Sequence, residues 1–185
     1  MRTFIALELT PEIKAGLDRL VRSLAPLTRD IRWVRPEGMH LTLKFLGEIS
    51  EDRAARVAAA LRGVSSQHGP VSLTVSGTGW FPAPSRRPRV IWTGVESGQE
   101  LGALYKDLER ALAAEGFPEE SRPFHPHLTL GRVKAASNMD ALLDRLKENA
   151  AATFGRMAAG EITFFESRLQ PSGAVYAVLE RFPLK

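Results

Sequence analysis

The tetrad His-Leu-Thr-Leu is written twice in this chain, at 40–43 and at 127–130, starting 87 positions apart. A repeated string constrains the fold more than any composition figure, because the same offset can be tried on everything else. "TFIALEL" at 3–9 then falls on "VIWTGVE" at 90–96, and both read as apolar strands. "PEIKAGLDRLVRSLA" at 11–25 falls on "GQELGALYKDLERAL" at 98–112. Leu17, Leu20, Val21 and Leu24 recur at helical spacing in the first, as do Leu101, Leu104, Tyr105, Leu108 and Leu112 in the second. Each tetrad precedes another helix, 50–64 capped by Ser50 and 138–150 capped by Asn138, with acidic residues in the first turn. Strands at 71–81 and 161–170 follow, ending near Pro82 and Pro171.

The expected order is strand, helix, short strand ("IRWV" in the first copy), tetrad strand, helix, strand, twice over. The copies run at about 3–82 and 90–171, with a closing strand at 174–182, in one domain of two interleaved lobes spanning 1–185. The expected fold class is α+β, each lobe a mainly antiparallel sheet with helices on its outer face. A pseudo-two-fold axis between lobes would bring their open sheet faces together in a cleft.

Strand parity says what the tetrads do. Successive side chains alternate faces, so Leu41, Leu43, Leu128 and Leu130 belong in the core. His40 and Thr42, and likewise His127 and Thr129, are left on the open face. An imidazole titrates near neutrality, so one ring of a pair can take a proton while the other gives one. Two hydroxyls beside them are donors for anionic oxygens. That set suits phosphodiester cleavage without metal. The chain has no cysteine, which removes disulfides, thiolate nucleophiles and cysteine zinc sites. A metal is not expected, since neither tetrad supplies a carboxylate as a third ligand.

Other residues join this set with less force. Lys44 shares the His40 and Thr42 face. Arg132 falls on the wrong parity unless Gly131 marks a bulge. In "GWFPAPSRRPRV", Arg86, Arg87 and Arg89 stand among prolines beside Trp80 and Phe81, the combination that neutralises phosphates and stacks on unpaired bases. The formal net charge of +4 weakly favours a polyanionic partner. His125 reads as structural or at the cleft mouth, and His68 as a solvated loop residue.

"FIALEL", "WVRPEGMHLTLKFLG" and "FHPHLTLGR" together resemble the 2H phosphoesterase superfamily, and within it the bacterial and archaeal RNA 2′,3′-cyclic phosphodiesterases, also called 2′-5′ RNA ligases. The resemblance covers almost the whole chain. It implies a bilobal α+β fold and hydrolysis of a terminal RNA 2′,3′-cyclic phosphate to a 2′-phosphomonoester, with reversible 2′-5′ ligation as another use of the same chemistry. It also implies that His40 is the proton donor, that His127 is the proton acceptor, and that Thr42 and Thr129 bind the phosphate. It implies a basic phosphate contact at Arg132, and no cofactor. The residues alone cannot divide acid from base between two equivalent motifs.

Two other functions compete. One is a phosphodiesterase for a small cyclic nucleotide such as an ADP-ribose cyclic phosphate; the other is a binding module for RNA or nucleotides without catalysis. No apolar run approaches the roughly 18 residues that span a bilayer. The N-terminal stretch lacks a secretory pattern. A cytoplasmic monomer is the expectation.

Overall fold

The computed structural model describes residues 1–135, 138–170 and 173–185; Pro171, the expected end of the second copy, lies outside them. The described elements are β1 (Arg2–Glu8), α1 (Pro11–Leu24), β2 (Ile31–Trp33), β3 (His40–Glu48), α2 (Glu51–Ser65), β4 (Val71–Phe81), β5 (Val90–Ser97), α3 (Gln99–Ala114), β6 (His127–Val133), α4 (Asp140–Glu148), β7 (Thr153–Ala159), β8 (Glu161–Gln170) and β9 (Gly173–Pro183).

Local chemistry accounts for the helix starts. Thr10 is extended and its hydroxyl accepts the Ile13 N–H, with Pro11 in the first turn where its missing donor does no harm. Ser50 caps α2 through the Arg53 N–H at 3.3 Å. Asn138 is not the cap of α4, which starts later and ends earlier than the expected 138–150. Met139 occupies that position, and the Asn138 side chain instead accepts the Asp140 N–H at 2.9 Å.

The strands form two sheets, ordered β3-β1-β8-β9 and β2-β6-β5-β4-β7. The paired strands are antiparallel throughout. In each sheet a tetrad strand (β3 or β6) flanks a central strand (β1 or β5), and a third strand (β8 or β4) lies on the other side. The third strands are exchanged: β4, from the first sequence copy, sits in the second sheet, and β8, from the second copy, sits in the first. The sequence copies 3–82 and 90–171 are therefore not the two sheets. The reason is local. β4 pairs with β5 across one short connection, and β8 pairs with β9 in the same way, so each third strand follows its sequence neighbour.

Two further elements differ from expectation. The short strand β2 has no counterpart before the second tetrad, where Pro118, Pro123 and Pro126 remove ladder donors. β7 is an unforeseen edge strand, paired to β4. Its "TFGRMAA" has little apolar alternation, and only the waiting edge of β4 makes it a strand.

One continuous apolar core joins both sheets and the four described α-helices. Ile5 and Leu7 of β1 point into it, whereas Phe4 and Ala6 point the other way and form a small second cluster with Phe165, against which Tyr176 packs. β1 is thus buried on both faces, and its second face becomes the floor of the site.

Candidate active site

The tetrads follow the alternation that strand parity demands. Leu41, Leu128 and Leu130 are fully buried and Leu43 nearly so. His40, Thr42, His127 and Thr129 all line one cleft of about 1100 Å³ between the sheets. Two strands from separate sheets therefore place two imidazoles and two hydroxyls on one volume.

The histidines have different surroundings. The His40 ring stacks on Phe4, centroids 4.7 Å apart, with Phe165 at 5.8 Å and the edge of Tyr176 at 5.1 Å. These rings replace water, and burial, aided by the positive charge of Lys14, lowers the His40 pKa from 6.5 to about 4. His40 is neutral at pH 7 in the free protein. His127 lies 2.8 Å through Nδ1 from the carbonyl oxygen of His125, and a carbonyl only accepts. Nδ1 therefore carries the hydrogen, and Nε2 is left free to face the cleft chemistry. His125 also lines the cleft, and its backbone oxygen, which no side-chain pattern announces, orients the tetrad histidine. Phe81 stands edge-on to His127 at 5.3 Å and is 37% exposed.

Arg132 lines the cleft because β6 carries a bulge. Thr129 pairs with Trp92 and Gly131 with Ile91, so the register skips Leu130. Leu130 and Gly131 both turn inward, and Arg132 regains the face of His127 and Thr129. Glycine is required there. A Cβ on Gly131 would lie 2.6 Å from Ile31 and 2.9 Å from the Trp33 ring.

Lys44 keeps the predicted face but is not free. Its ammonium donates to both Glu109 carboxylate oxygens at 2.7 Å and to the Pro118 carbonyl at 2.8 Å. Both side chains of the pair are under 10% exposed. Lys44 thus ties β3 to α3 while still lining the cleft, a pairing that parity alone could not supply. Arg86 lies outside the cleft, 2.8 Å from Asp140. Arg87 lines a neighbouring pocket instead. Trp80 is partly buried against the core, its indole N–H held by the Ser85 carbonyl at 2.7 Å. His68 is not a free loop residue, since it meets Asp107 at 3.0 Å.

Arg89 of the arginine and proline loop lines the cleft, which also contains Phe45 and Tyr176, residues that sequence patterns did not single out. Tyr105, read as part of a core stripe, stacks on Phe124 at 3.9 Å; burial and the nearby Glu109 raise its phenol to about 12. Among the described residues no three His, Asp or Glu side chains converge as a metal would need. No helix among them is long and apolar enough to cross a membrane.

Comparison with known proteins agrees with this arrangement. The family described as LigT like Phosphoesterase matches residues 7–92 and 94–176, a break that falls between the two copies of the motif. The chain is 33% identical to the RNA 2′,3′-cyclic phosphodiesterase of Methanothermobacter thermautotrophicus over 100% of its own length and 99% of that protein. It is 37% identical to the protein of the same name from Aeropyrum pernix, over 88% of this chain and 92% of that one. Among solved structures, TT0787 of Thermus thermophilus superposes with a TM-score of 0.83 at 31% identity, covering 100% and 98% of the two chains. E. coli LigT complexed with 3′-AMP superposes at 0.78 with 26% identity, covering 99% and 97%. With one tetrad in each matched segment and both tetrads on one cleft, the chain belongs to the LigT-like phosphoesterase family.

Proposed function

We propose that this protein hydrolyses the 2′,3′-cyclic phosphate at the end of an RNA to a 2′-phosphomonoester, with His127 as proton acceptor and His40 as proton donor. The observation that carries the reading is the convergence of two His-x-Thr strands on one cleft. Near-full-length likeness to proteins named RNA 2′,3′-cyclic phosphodiesterase supports the substrate class. In this reading the 185 residues work as one domain of two interleaved lobes, a cytoplasmic monomer needing no cofactor, and each lobe supplies half of the site.

His127 Nε2 takes a proton from water as the water oxygen bonds to phosphorus. The P–O3′ bond breaks, and O3′ receives the proton from His40. Thr42 and Thr129 donate hydrogen bonds to the non-bridging oxygens, and Arg132 balances their charge. The same course with a 5′-hydroxyl entering in place of water forms a P–O5′ bond as P–O3′ breaks, which is 2′-5′ ligation, and its reverse expels that hydroxyl and restores the cyclic phosphate. The low proton affinity of free His40 does not prevent a donor role. A phosphodiester anion about 4 Å away, at an effective dielectric constant near 20, is worth about 4 kcal/mol, or about three pKa units. Substrate charge thus recruits the proton that the reaction uses. The same neutrality favours a second reading in which His40 is the base.

The first assay incubates the protein, in EDTA, with a short RNA ending in 2′,3′-cyclic phosphate, beside His40→Ala and His127→Ala. Wild type should yield a 2′-phosphate, and each variant should fall by at least about 10²–10⁴. Survival of the cyclic end with wild type refutes the RNA reading and turns attention to small cyclic nucleotides. A substrate with sulfur at the leaving 3′ position separates the roles, since a thiolate departs without an acid. Recovery of His40→Ala but not His127→Ala on it supports the stated roles; the opposite pattern reverses them.

A further inference from the structure

The walls of the cleft differ in charge. The segment after α3 brings Glu119 and Glu120 to the lining, with Arg122 3.5 Å from Glu120 as its counter-charge. The lining also takes in Phe81, Pro82, Arg89 and Arg132, and neither arginine is in an ion pair among the described residues. Arg89 is held in place by its backbone. Its N–H donates to the Phe81 carbonyl at 2.7 Å, and its carbonyl accepts the Val133 N–H at 2.9 Å.

Pro82 and Arg89 also line a second pocket of about 640 Å³, so the two volumes adjoin. Arg87 and Lys134 complete its polar lining with Ser85, and no acidic side chain lines it among the described residues. Arg87, Arg89 and Lys134 have no ion pair among the described residues, whereas the neighbouring Arg86 is held by Asp140. The loop is braced from within. Trp80 Nε1 donates to the Ser85 carbonyl at 2.7 Å, and the Arg87 N–H donates to the Ser85 hydroxyl at 3.0 Å. On the far side, Lys134 is fixed by its N–H to the Asp30 carbonyl at 2.7 Å. Three unpaired cations around one recess repel each other, and a polyanion relieves that repulsion.

A strand whose 3′ end is anchored at the histidines can continue only in the 5′ direction, and its phosphates are attracted by Arg89 and Arg132 and repelled by Glu119 and Glu120. We infer that the pocket of Arg87, Arg89 and Lys134 is a second phosphate subsite, which holds the backbone of the RNA immediately 5′ of the cyclic end. This rests on the proposed function and makes the enzyme selective for oligonucleotide ends over nucleoside cyclic phosphates.

The test compares kcat/KM for a nucleoside 2′,3′-cyclic phosphate with that for di- and trinucleotides bearing the same end, at 50 and 200 mM salt. Wild type gains with length, and two single-strand phosphate contacts shrink that gain by about sevenfold over the fourfold rise in salt. Lys134→Ala lowers the length gain by about three- to fivefold and Lys134→Glu abolishes it, while turnover of the nucleoside cyclic phosphate is unchanged. The subsite is refuted if wild type treats all lengths alike, if Lys134→Glu keeps the gain, or if Lys134→Ala lowers turnover of the shortest substrate equally. Turnover of the shortest substrate in those cases leaves the proposed function standing; no turnover at any length removes both.

Discussion

His40 makes the stability of this protein depend on acid in a way that can be worked out in advance. Its ring is packed among Phe4, Phe165 and Tyr176, and its pKa is lowered from 6.5 to about 4. Between those values the unfolded chain holds a proton at this position that the folded chain refuses. Stability rises with pH wherever the unfolded state binds more protons, so the contribution is fully present above about pH 6.5 and is lost as pH falls toward 4. A gap of about 2.5 units at 1.36 kcal/mol each gives about 3 kcal/mol lost from pH 7.5 to pH 4. Carboxylates titrate over part of the same range, so the informative quantity is a double difference. Urea unfolding of wild type and His40→Gln at both pH values gives it. Wild type should lose about 3 kcal/mol more than the variant, whatever the substitution does to packing at either pH. Binding should show the reciprocal linkage. Sulfate, which stays dianionic over this range, should bind wild type more weakly as pH rises from 5 to 7, and His40→Gln should reduce that dependence by up to tenfold per unit. A double difference below about 1 kcal/mol would sink the argument that aromatic burial keeps this ring neutral.

Other outcomes follow from the same contacts. Lys44→Met leaves the Glu109 carboxylate buried without its cation and should destabilise the fold by about 3–5 kcal/mol in urea, with Glu109→Leu in the same chain restoring most of it. Gly131→Ala forces a Cβ against Ile31 and Trp33, and should cost about 1–3 kcal/mol in stability while lowering kcat/KM through the displaced Arg132. Thr42→Val and Thr129→Val should each lower kcat by about 10²–10³ with thermal stability little changed; unaltered kcat would remove the hydroxyls from the phosphate site. Gly79→Ala puts a methyl group into the Trp92 ring, which packs beside Phe81, so a changed tryptophan emission should accompany reduced turnover.

The tetrads were the most legible part of the chain because parity is a local property. Once 40–43 and 127–130 are strands, the leucines and the His-Thr pairs must separate. Helices α1 and α3 were legible for the same reason, since their apolar stripes lie within one element. The parity problem at Arg132 also pointed to its own answer, as the suspected bend at Gly131 is a bulge. Lys44 shows the limit. It stands on the predicted face, but Glu109 lies 65 residues away and nothing near either residue announces the pair. The lowered proton affinity of His40 was equally hidden, because it comes from rings on β1, β8 and β9 rather than from the tetrad.

The sequence by itself determined the repeat, the alternation that exposes two histidines and two threonines, and the placement of both on strands. These depend on spacing between near neighbours, which folding does not change. Only the tertiary structure decided that β4 and β8 exchange sheets, that β1 is covered on both faces, and that one histidine is sealed among aromatic rings while the other is held by a backbone carbonyl. Strand pairing and burial are settled by whichever distant segments meet. Two identical tetrads therefore enter the fold as equals and leave it with different chemistry.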